Sequence, residues 1–395
     1  MSTSTLVVWD DVFTEYDFGP THPLRPLRLE LTMELASQLG VLSRPGVQVR
    51  PPRIADDATL ELVHDPSYVG AVRRAPEDLL GRLALRYGLG SEDNPVFPRM
   101  HEAAALVTGA SVDAARAVWE GTHEHAVNVS GGLHHAMRDR ASGFCIYDDP
   151  AVAIAWLLAS GATRVAYVDV DVHHGDGVEA AFYDDPRVLT VSLHESGRTL
   201  FPGSGFPADT GRGAGVGTSV NVALPMGTDD AGWLRAFDAV VPDVLRAFSP
   251  QVLVTQHGCD THALDPLAHL LMSVDGQRQA YAALHRLAHQ ICGGKWVVLG
   301  GGGYEPVQVV PRAWTHLLAE VTGAPVDGAT PSDWRALATE KGRELAPTSM
   351  SDGRAPSYVP WEGGIGDPSA KVDQAVAETR RQVFPHLGLD PMAAR

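Results

Sequence analysis

Residues 164–177 read RVAYVDVDVHHGDG, and this stretch decides how we interpret the whole chain. Its first half, residues 165–168, is small, β-branched or aromatic with no turn former, which predicts a β-strand. Asp169, Asp171 and His173 then follow at a spacing of two, which in an extended chain turns side chains to one face. Neighbouring carboxylates repel each other unless a cation lies between them. Aspartate and histidine together suit zinc or iron, so the stretch predicts a strand that ends at a metal site.

Composition narrows the class of protein. The chain has 395 residues, 44% of them hydrophobic, which is enough for a large core, and a formal net charge of −17. That charge argues against nucleic acid or an anionic membrane as a partner. The three cysteines, Cys145, Cys259 and Cys292, are too few for a disulfide framework and fit a reducing compartment. With no signal peptide and no apolar run of membrane-spanning length in the sequence, we expect a cytoplasmic protein.

Strands and helices alternate along most of the chain. Hydrophobic patterning predicts strands at 6–9, 125–130, 164–170, 188–193, 219–224, 251–256 and 296–299. It predicts helices at 27–39, 103–119, 149–160, 178–183, 230–248, 276–292 and 306–318. Such alternation is typical of an α/β fold with a single open parallel sheet and helices on both faces. We therefore expect one domain over residues 1–322, followed by a partly irregular C-terminal appendage over residues 323–395.

Chemically reactive residues recur directly after the predicted strands. They include His134 and His135 after the strand at 125–130, and Asp260 after the strand at 251–256. Tyr304 follows four glycines after the strand at 296–299. Open parallel sheets bind ligands outside the carboxyl ends of their strands, so these positions predict an active site at that edge.

Nine short motifs in order give the chain a family resemblance. They are HPLRPLRL, YGLGSEDNP, GGLHHA, GFCIYDD, DVDVHHGDG, VSLHE, FPGSG, GCD and GGGGY. Together they resemble the zinc-dependent histone deacetylase family, class I-like, over roughly residues 5–320. The YGLGSEDNP loop is most similar to the bacterial acetoin utilization branch. The resemblance implies the arginase-deacetylase fold, with one open parallel sheet, and hydrolysis of the acetyl amide of Nε-acetyl-lysine in proteins, which releases acetate.

The resemblance also implies a role for each reactive residue. Asp171, His173 and Asp260 would bind Zn²⁺, or Fe²⁺, and leave a fourth position open for water. His135 would act as general base and acid, with His134 as its electrostatic partner. The carboxylates of Asp169 and Asp176 would orient His134 and His135 respectively. Tyr304 would donate a hydrogen bond to the developing oxyanion.

The same resemblance implies a tunnel for the acetyl-lysine side chain. Its walls would be Phe144 and Phe201, with Gly143, Leu267 and Gly302 along the passage. Arg28 would lie buried behind it. An acidic rim residue would hold the substrate backbone, and here we favour Glu102, with Glu92 or Asp93 as alternatives.

Structural or modulatory potassium is a further implication of the resemblance. One site would use backbone oxygens of Asp169, Asp171, His173 and Leu193 with the side chains of Asp169 and Ser192. The second site would use backbone oxygens near Phe182, Asp185, Val188 and Thr218.

Other functions remain open on sequence grounds. An acetylpolyamine amidohydrolase would share the metal site, an arginase-like enzyme would use two manganese ions, and an idle metal-binding scaffold would not turn over substrate. Tyr304 and the GGLHHA motif favour the deacetylase over the arginase type. We expect acetylated proteins as substrates, with acetyl-CoA synthetase as one, and the loop at residues 87–98 as the source of selectivity.

Overall fold

A single parallel sheet forms the centre of the molecule. The computed structural model describes residues 4–78 and 82–394, and within them it contains eight strands. The strands are β1 (Thr5–Val8), β2 (Val47–Arg50), β3 (His125–Asn128), β4 (Val165–Asp169), β5 (Val188–Glu195), β6 (Ser219–Leu224), β7 (Val252–Gln256) and β8 (Trp296–Leu299). Their order across the sheet is β2-β1-β3-β8-β7-β4-β5-β6, and every neighbouring pair is parallel. The predicted single parallel sheet is therefore confirmed.

Strand β4 shows why the sheet forms. All five of its residues are buried, and it pairs with β5 on one side and β7 on the other, with Val165 opposite both Val188 and Val252. A strand covered on both faces reads as a continuous apolar run rather than an alternating one. The edge strand β2 was not predicted, since its sequence VQVR is polar in part and mostly exposed.

Helices flank the sheet. They are α1 (Leu27–Gln38), α2 (Asp57–Leu60), α3 (Pro66–Arg74), α4 (Arg82–Arg86), α5 (Met100–Trp119), α6 (Asp149–Ala159), α7 (Asp176–Phe182), α8 (Asp230–Phe248), α9 (Val274–Cys292), α10 (Val310–Val321), α11 (Ser332–Gly342) and α12 (Lys371–Val383). Short 3₁₀ helices lie at Asp11–Glu15, Ala75–Glu77, Gly213–Gly215 and Phe384–Leu387. Helices α5 and α6 pack on each other, and α1, α10, α9, α8 and α12 each pack on the next. None of the described helices is long and apolar enough to cross a membrane.

Helix α6 begins at Asp149, the first residue of the predicted range, but its N-cap differs from the residue that the sequence favours. Asp148, rather than Asp149, is the N-cap, and its side chain accepts a hydrogen bond from the N–H of Ala151. Asp149 turns inward instead, where its carboxylate accepts from the N–H groups of Gly132 and Leu133. The sequence favours Asp149 as the N-cap because Pro150 follows it, and that prediction is wrong by one residue.

The C-terminal segment contributes buried side chains. The helices α11 and α12 lie within it, and Trp334, Trp361 and Arg380 are all fully buried. The Arg380 guanidinium donates to the carbonyl of Ala239 in α8, and α12 also packs on β6. The residues between the two helices have little regular structure. The proposed boundary at residue 322 stays a prediction.

Candidate active site

Four neighbouring strands deliver the reactive side chains to one place. Strands β3, β8, β7 and β4 are adjacent in the sheet, so their carboxyl ends open at the same edge. Asp169 is the last residue of β4, and the chains after β3, β7 and β8 carry His134, Asp260 and Tyr304 respectively. These side chains therefore lie together at the edge where open parallel sheets bind ligands.

Asp171, His173 and Asp260 form a buried candidate metal centre. Their potential ligand atoms all lie within 4.8 Å of one another. His173 Nδ1 lies 3.2 Å from Asp171 Oδ1 and 3.1 Å from Asp260 Oδ2. A Cβ atom on Gly258 or Gly302 would collide with these carboxylates, so glycines surround the centre where it needs room. Two buried carboxylates and an imidazole fit a divalent cation such as zinc.

Asp169 lies outside this metal set. The chain leaves the strand after Asp169, so the spacing of two no longer keeps the three side chains on one face. Asp169 Oδ2 instead contacts His134 Nδ1 at 2.7 Å and accepts from the Tyr167 hydroxyl at 2.7 Å. The second carboxylate of the centre comes from Asp260 on a different strand end.

Hydrogen bonds hold both metal-site carboxylates in place. Asp171 Oδ2 accepts from Gln256 Nε2 at 2.7 Å and from the N–H of Gly302 at 2.8 Å. Asp260 Oδ1 accepts from the N–H of Val172 at 3.0 Å. Such outer hydrogen bonds orient ligands, and Gln256 was missed from the sequence although it is the last residue of β7.

Two histidine–aspartate pairs lie beside the metal centre. His135 Nδ1 lies 2.7 Å from Asp176 Oδ1, and the Nε2 atoms of His134 and His135 are 3.0 Å apart. Burial opposes charge on His134, but the carboxylates of Asp169 and Asp171 outweigh it and raise its pKa to about 10. Burial and the neighbouring His134 lower the pKa of His135 to about 4. The two rings thus differ in the proton affinity that an acid–base pair needs.

Tyr304 stands opposite the histidines. Its ring lies edge-on to Phe144 at 5.6 Å and to His173 at 6.3 Å between centroids. Behind it, the buried Arg28 donates to the carbonyl of Gly301 at 2.7 Å and to that of Gly303 at 3.3 Å. Arg28 therefore supports the glycine loop that carries Tyr304.

One cavity joins these groups to the surface. Its volume is about 210 Å³. It is lined by Asp93, His135, Gly143, Phe144, His173, Leu200, Phe201, Leu267 and Tyr304. Phe144 and Phe201 both lie on the wall, as the resemblance implies, and Leu200 was missed since nothing in its sequence neighbourhood marks it. The Tyr16 hydroxyl donates to the carbonyl of Phe144 at 2.9 Å, which fixes that wall.

Two expected lining residues lie elsewhere. Gly302 is not on the cavity; its N–H faces Asp171 behind the metal centre, where no side chain would fit. Glu102 is in the first turn of α5, away from the cavity. Asp93 lines the cavity instead, and His22 Nε2 lies 3.2 Å from its carbonyl oxygen. The alternative Glu92 is exposed and does not line the cavity.

The residues expected to bind potassium occupy two compact regions. In the first, Ser192 Oγ lies 2.8 Å from His194 Nδ1, and Asp169 Oδ1 accepts from the N–H of Asp171. In the second, the Phe182 carbonyl accepts from Asp185 and the Thr218 carbonyl accepts from Thr190, beside the start of β5. Potassium binding at either place stays a prediction.

The fold and this site define a hydrolase class. The sequence profile of the histone deacetylase domain matches residues 22–321, and the chain belongs to the histone deacetylase family. Its all-parallel sheet is that of the arginase-deacetylase fold.

Similar proteins indicate which branch of the histone deacetylase family the chain resembles most. The chain is 41% identical over 349 residues to the acetoin utilization protein AcuC of Bacillus subtilis (strain 168), covering 88% of this chain and 90% of that one. It is 36% identical to the proteins of the same name from Staphylococcus aureus (strain MSSA476), over 96% of this chain and 99% of that one, and from Staphylococcus xylosus, over 89% and 91%. This agrees with the predicted branch and supports an amidohydrolase of the deacetylase class.

Proposed function

We propose that this protein is a metal-dependent lysine deacetylase that hydrolyses the acetyl amide of Nε-acetyl-lysine in proteins and releases acetate. One observation carries the proposal: a cavity with aromatic walls reaches His173 of the candidate metal centre, His135 and Tyr304. The rings of Phe144 and Phe201 suit the four-carbon stem of lysine. The reacting amide would then lie beside His135 and Tyr304.

Each group in the site has a defined task. Zn²⁺ or Fe²⁺ held by Asp171, His173 and Asp260 would supply Lewis acidity at the amide carbonyl and make water a better nucleophile. His135 donates its Nδ1 proton to Asp176, so Nε2 of the neutral ring carries the lone pair that takes a proton from water. The amide C–N bond breaks when His135 returns that proton to the leaving lysine nitrogen. The Tyr304 hydroxyl donates to the oxyanion.

The surroundings bear on substrate choice. The carboxylate-bearing Asp93 lines the cavity, and such a group accepts hydrogen bonds from the backbone N–H groups of a peptide. The aromatic walls formed by Phe144 and Phe201 would contact the acetyl-lysine side chain rather than the neighbouring residues of the peptide. We therefore expect broad activity on acetyl-lysine peptides, and higher activity on a few folded proteins that also contact the loop at residues 87–98, with acetyl-CoA synthetase as one.

The alternative is an acetylpolyamine amidohydrolase. The same Asp93 would attract a cationic polyamine, and the metal chemistry would be unchanged.

Unpaired, buried Cys145, Cys259 and Cys292 fit the proposed cytoplasmic location, and we propose that K⁺ occupies the two regions described above.

A comparison of three substrates tests the proposal. Initial rates are measured on an acetyl-lysine peptide, on folded acetylated acetyl-CoA synthetase and on acetylpolyamines, with Tyr304→Phe as a matched control. Deacetylation of peptide and protein that the control lacks supports the proposal. A clear preference for acetylpolyamines over every protein and peptide would replace it with the alternative, and no hydrolysis of any of the three by metal-loaded enzyme would reject both.

A further inference from the structure

Three histidines converge at the opposite end of the sheet from the candidate active site. His125 is the first residue of β3, and His285 and His289 lie one turn apart on α9. We call His125, His285 and His289 the histidine cluster. The Nε2 atom of His285 lies 3.1 Å from that of His125 and 3.0 Å from that of His289.

The other nitrogen of each ring is already engaged. His125 Nδ1 lies 2.9 Å from the carbonyl oxygen of Gly294, and His285 Nδ1 lies 2.8 Å from a carboxylate oxygen of Glu320. Carbonyl and carboxylate oxygens only accept, so both Nδ1 atoms carry the proton. In the neutral rings, the two Nε2 lone pairs then face each other at 3.1 Å with no hydrogen between them. A cation that both lone pairs share would remove this repulsion.

The surroundings of the histidine cluster resemble those of a metal ligand set. Glu320 lies behind His285, and Glu124 lies 3.4 Å from His289 Nδ1. A carboxylate behind a ligating histidine fixes the tautomer and strengthens the ligand. Trp296 stacks on His285 at 5.2 Å between ring centroids, nearly parallel at 16°. His125 is fully buried whereas the His289 side chain is 42% exposed, so an ion has a path from solvent.

We propose that the histidine cluster binds a divalent first-row transition metal, with zinc as the first candidate, through its three Nε2 atoms and a water molecule. Imidazole suits zinc, copper, iron and nickel, whereas magnesium and calcium prefer oxygen ligands. Ligands about 2.05 Å from a tetrahedral zinc ion lie roughly 3.3 Å apart. The Nε2 atom of His285 lies at a similar distance, 3.1 Å and 3.0 Å, from the Nε2 atoms of His125 and His289, and the potential ligand atoms of all three residues lie within 4.8 Å of one another. The site joins β3 to α9 and, through Glu320, to α10.

Metal binding by site-specific variants tests this inference. Metal-free wild-type protein, His289→Ala and the matched control His386→Ala, which replaces an exposed histidine remote in sequence, are titrated with Zn²⁺ and Co²⁺. We expect two equivalents in the wild-type protein and the control, and one in His289→Ala. Catalytic activity of His289→Ala with the active site loaded should equal that of wild type, since His289 lies outside the candidate active site.

Two further variants separate the sites. Asp171→Ala should retain one equivalent of Co²⁺ with the visible spectrum of a nitrogen-ligated ion, and Asp171→Ala/His289→Ala should retain none. Glu320→Gln should weaken zinc affinity at the histidine cluster by roughly 10- to 100-fold, the usual effect of removing an outer partner. A single equivalent in the wild-type protein that His289→Ala leaves unchanged would overturn the inference, because a proton shared between the rings would then account for the geometry.

Discussion

The buried carboxylate of Asp265 joins Tyr304 to the wall of the cavity. Its Oδ2 accepts from the N–H of Tyr304 at 2.8 Å, and its Oδ1 accepts from the N–H of Leu267 at 2.9 Å. The two donor residues, Tyr304 and Leu267, lie on separate loops, after β8 and after β7. One side chain therefore fixes both the proposed oxyanion donor and a residue that lines the cavity, although nothing in the sequence had marked Asp265.

Asp265→Asn should lower activity by displacing Tyr304. The amide has nearly the same size, but its nitrogen cannot accept a hydrogen bond, so one of the two backbone contacts is lost. We expect kcat to fall by roughly 10- to 100-fold, as small misplacements of catalytic groups do. Steady-state kinetics in the Tyr304→Phe background provide the control. There the same substitution should cost much less, and an equal loss in both backgrounds would show that Asp265 is only structural.

Tyr304→Phe should reduce kcat and leave KM nearly unchanged. The substitution removes one hydroxyl and keeps the ring that packs on Phe144. Loss of one such donor typically costs about 10²–10³ in kcat. A kinetic comparison on an acetyl-lysine peptide decides the matter, and a kcat within a factor of a few of wild type would refute the proposed role of the tyrosine.

His135→Ala should cost about 10²–10⁴ in kcat, the usual contribution of general acid–base catalysis. His386→Ala, which removes an exposed imidazole, should leave kcat unchanged. Single-turnover rates on the same peptide measure the chemical step directly. Rates that match wild type in both variants would show that another group moves the proton.

Asp171→Ala should lose the catalytic metal and the activity together. The remaining His173 and Asp260 leave the centre one ligand short, and Gln256 loses one of its hydrogen-bond partners. Metal content per chain and peptide deacetylation are measured on the same sample, with the exposed Asp367→Ala as control. Activity that survives in Asp171→Ala would place the metal on other residues.

His64 should make the protein less stable in mild acid. It is buried, its Nε2 accepts from the N–H of Asp148 at 3.0 Å, and burial lowers its pKa to about 4. Between pH 6.5 and 4, His64 is protonated in the unfolded chain but stays neutral in the folded chain. The free energy of unfolding therefore decreases as pH falls through this range. At pH 5 the loss is about 2 kcal/mol.

Denaturant unfolding of wild type and His64→Gln at pH 7.5 and pH 5 measures this effect. Glutamine does not titrate, so the difference in unfolding free energy between the two proteins isolates His64 from other acid-sensitive groups. A difference that does not change with pH would show that His64 is not the group responsible.

More detail of the candidate site than of the surrounding fold could be predicted from the sequence. Asp171, His173 and Asp260 follow strands in a sequence of motifs, so their convergence was expected. The order of the strands could not be predicted. Strand β8 lies between β3 and β7 in the sheet although it is far from β3 along the chain, and local sequence patterns do not indicate that pairing.

The sequence did not identify residues whose role depends only on where the folded chain places them. Leu200 and Asp265 belong to loops whose paths depend on packing, and an isolated aspartate in a loop most often caps a turn. Glu102 was favoured over Asp93 at the rim because the sequence cannot show which loop lies over the cavity. The sequence did not predict helix α12, because its first residues, Lys371 to Asp373, and its Arg-rich end are typical of an exposed segment. Arg380 is nevertheless buried.

The packing of α12 also covers an edge of the sheet. Strand β6 is the last strand of the sheet, and its sequence SVNVAL would offer unpaired backbone groups to a second molecule. Thr379 in α12 donates its hydroxyl to the carbonyl of Asn221 in that strand. The C-terminal segment thus covers an edge strand that would otherwise be free to pair with a second molecule. A chain shortened at residue 322 would expose this strand, and we expect such a chain to aggregate edge to edge.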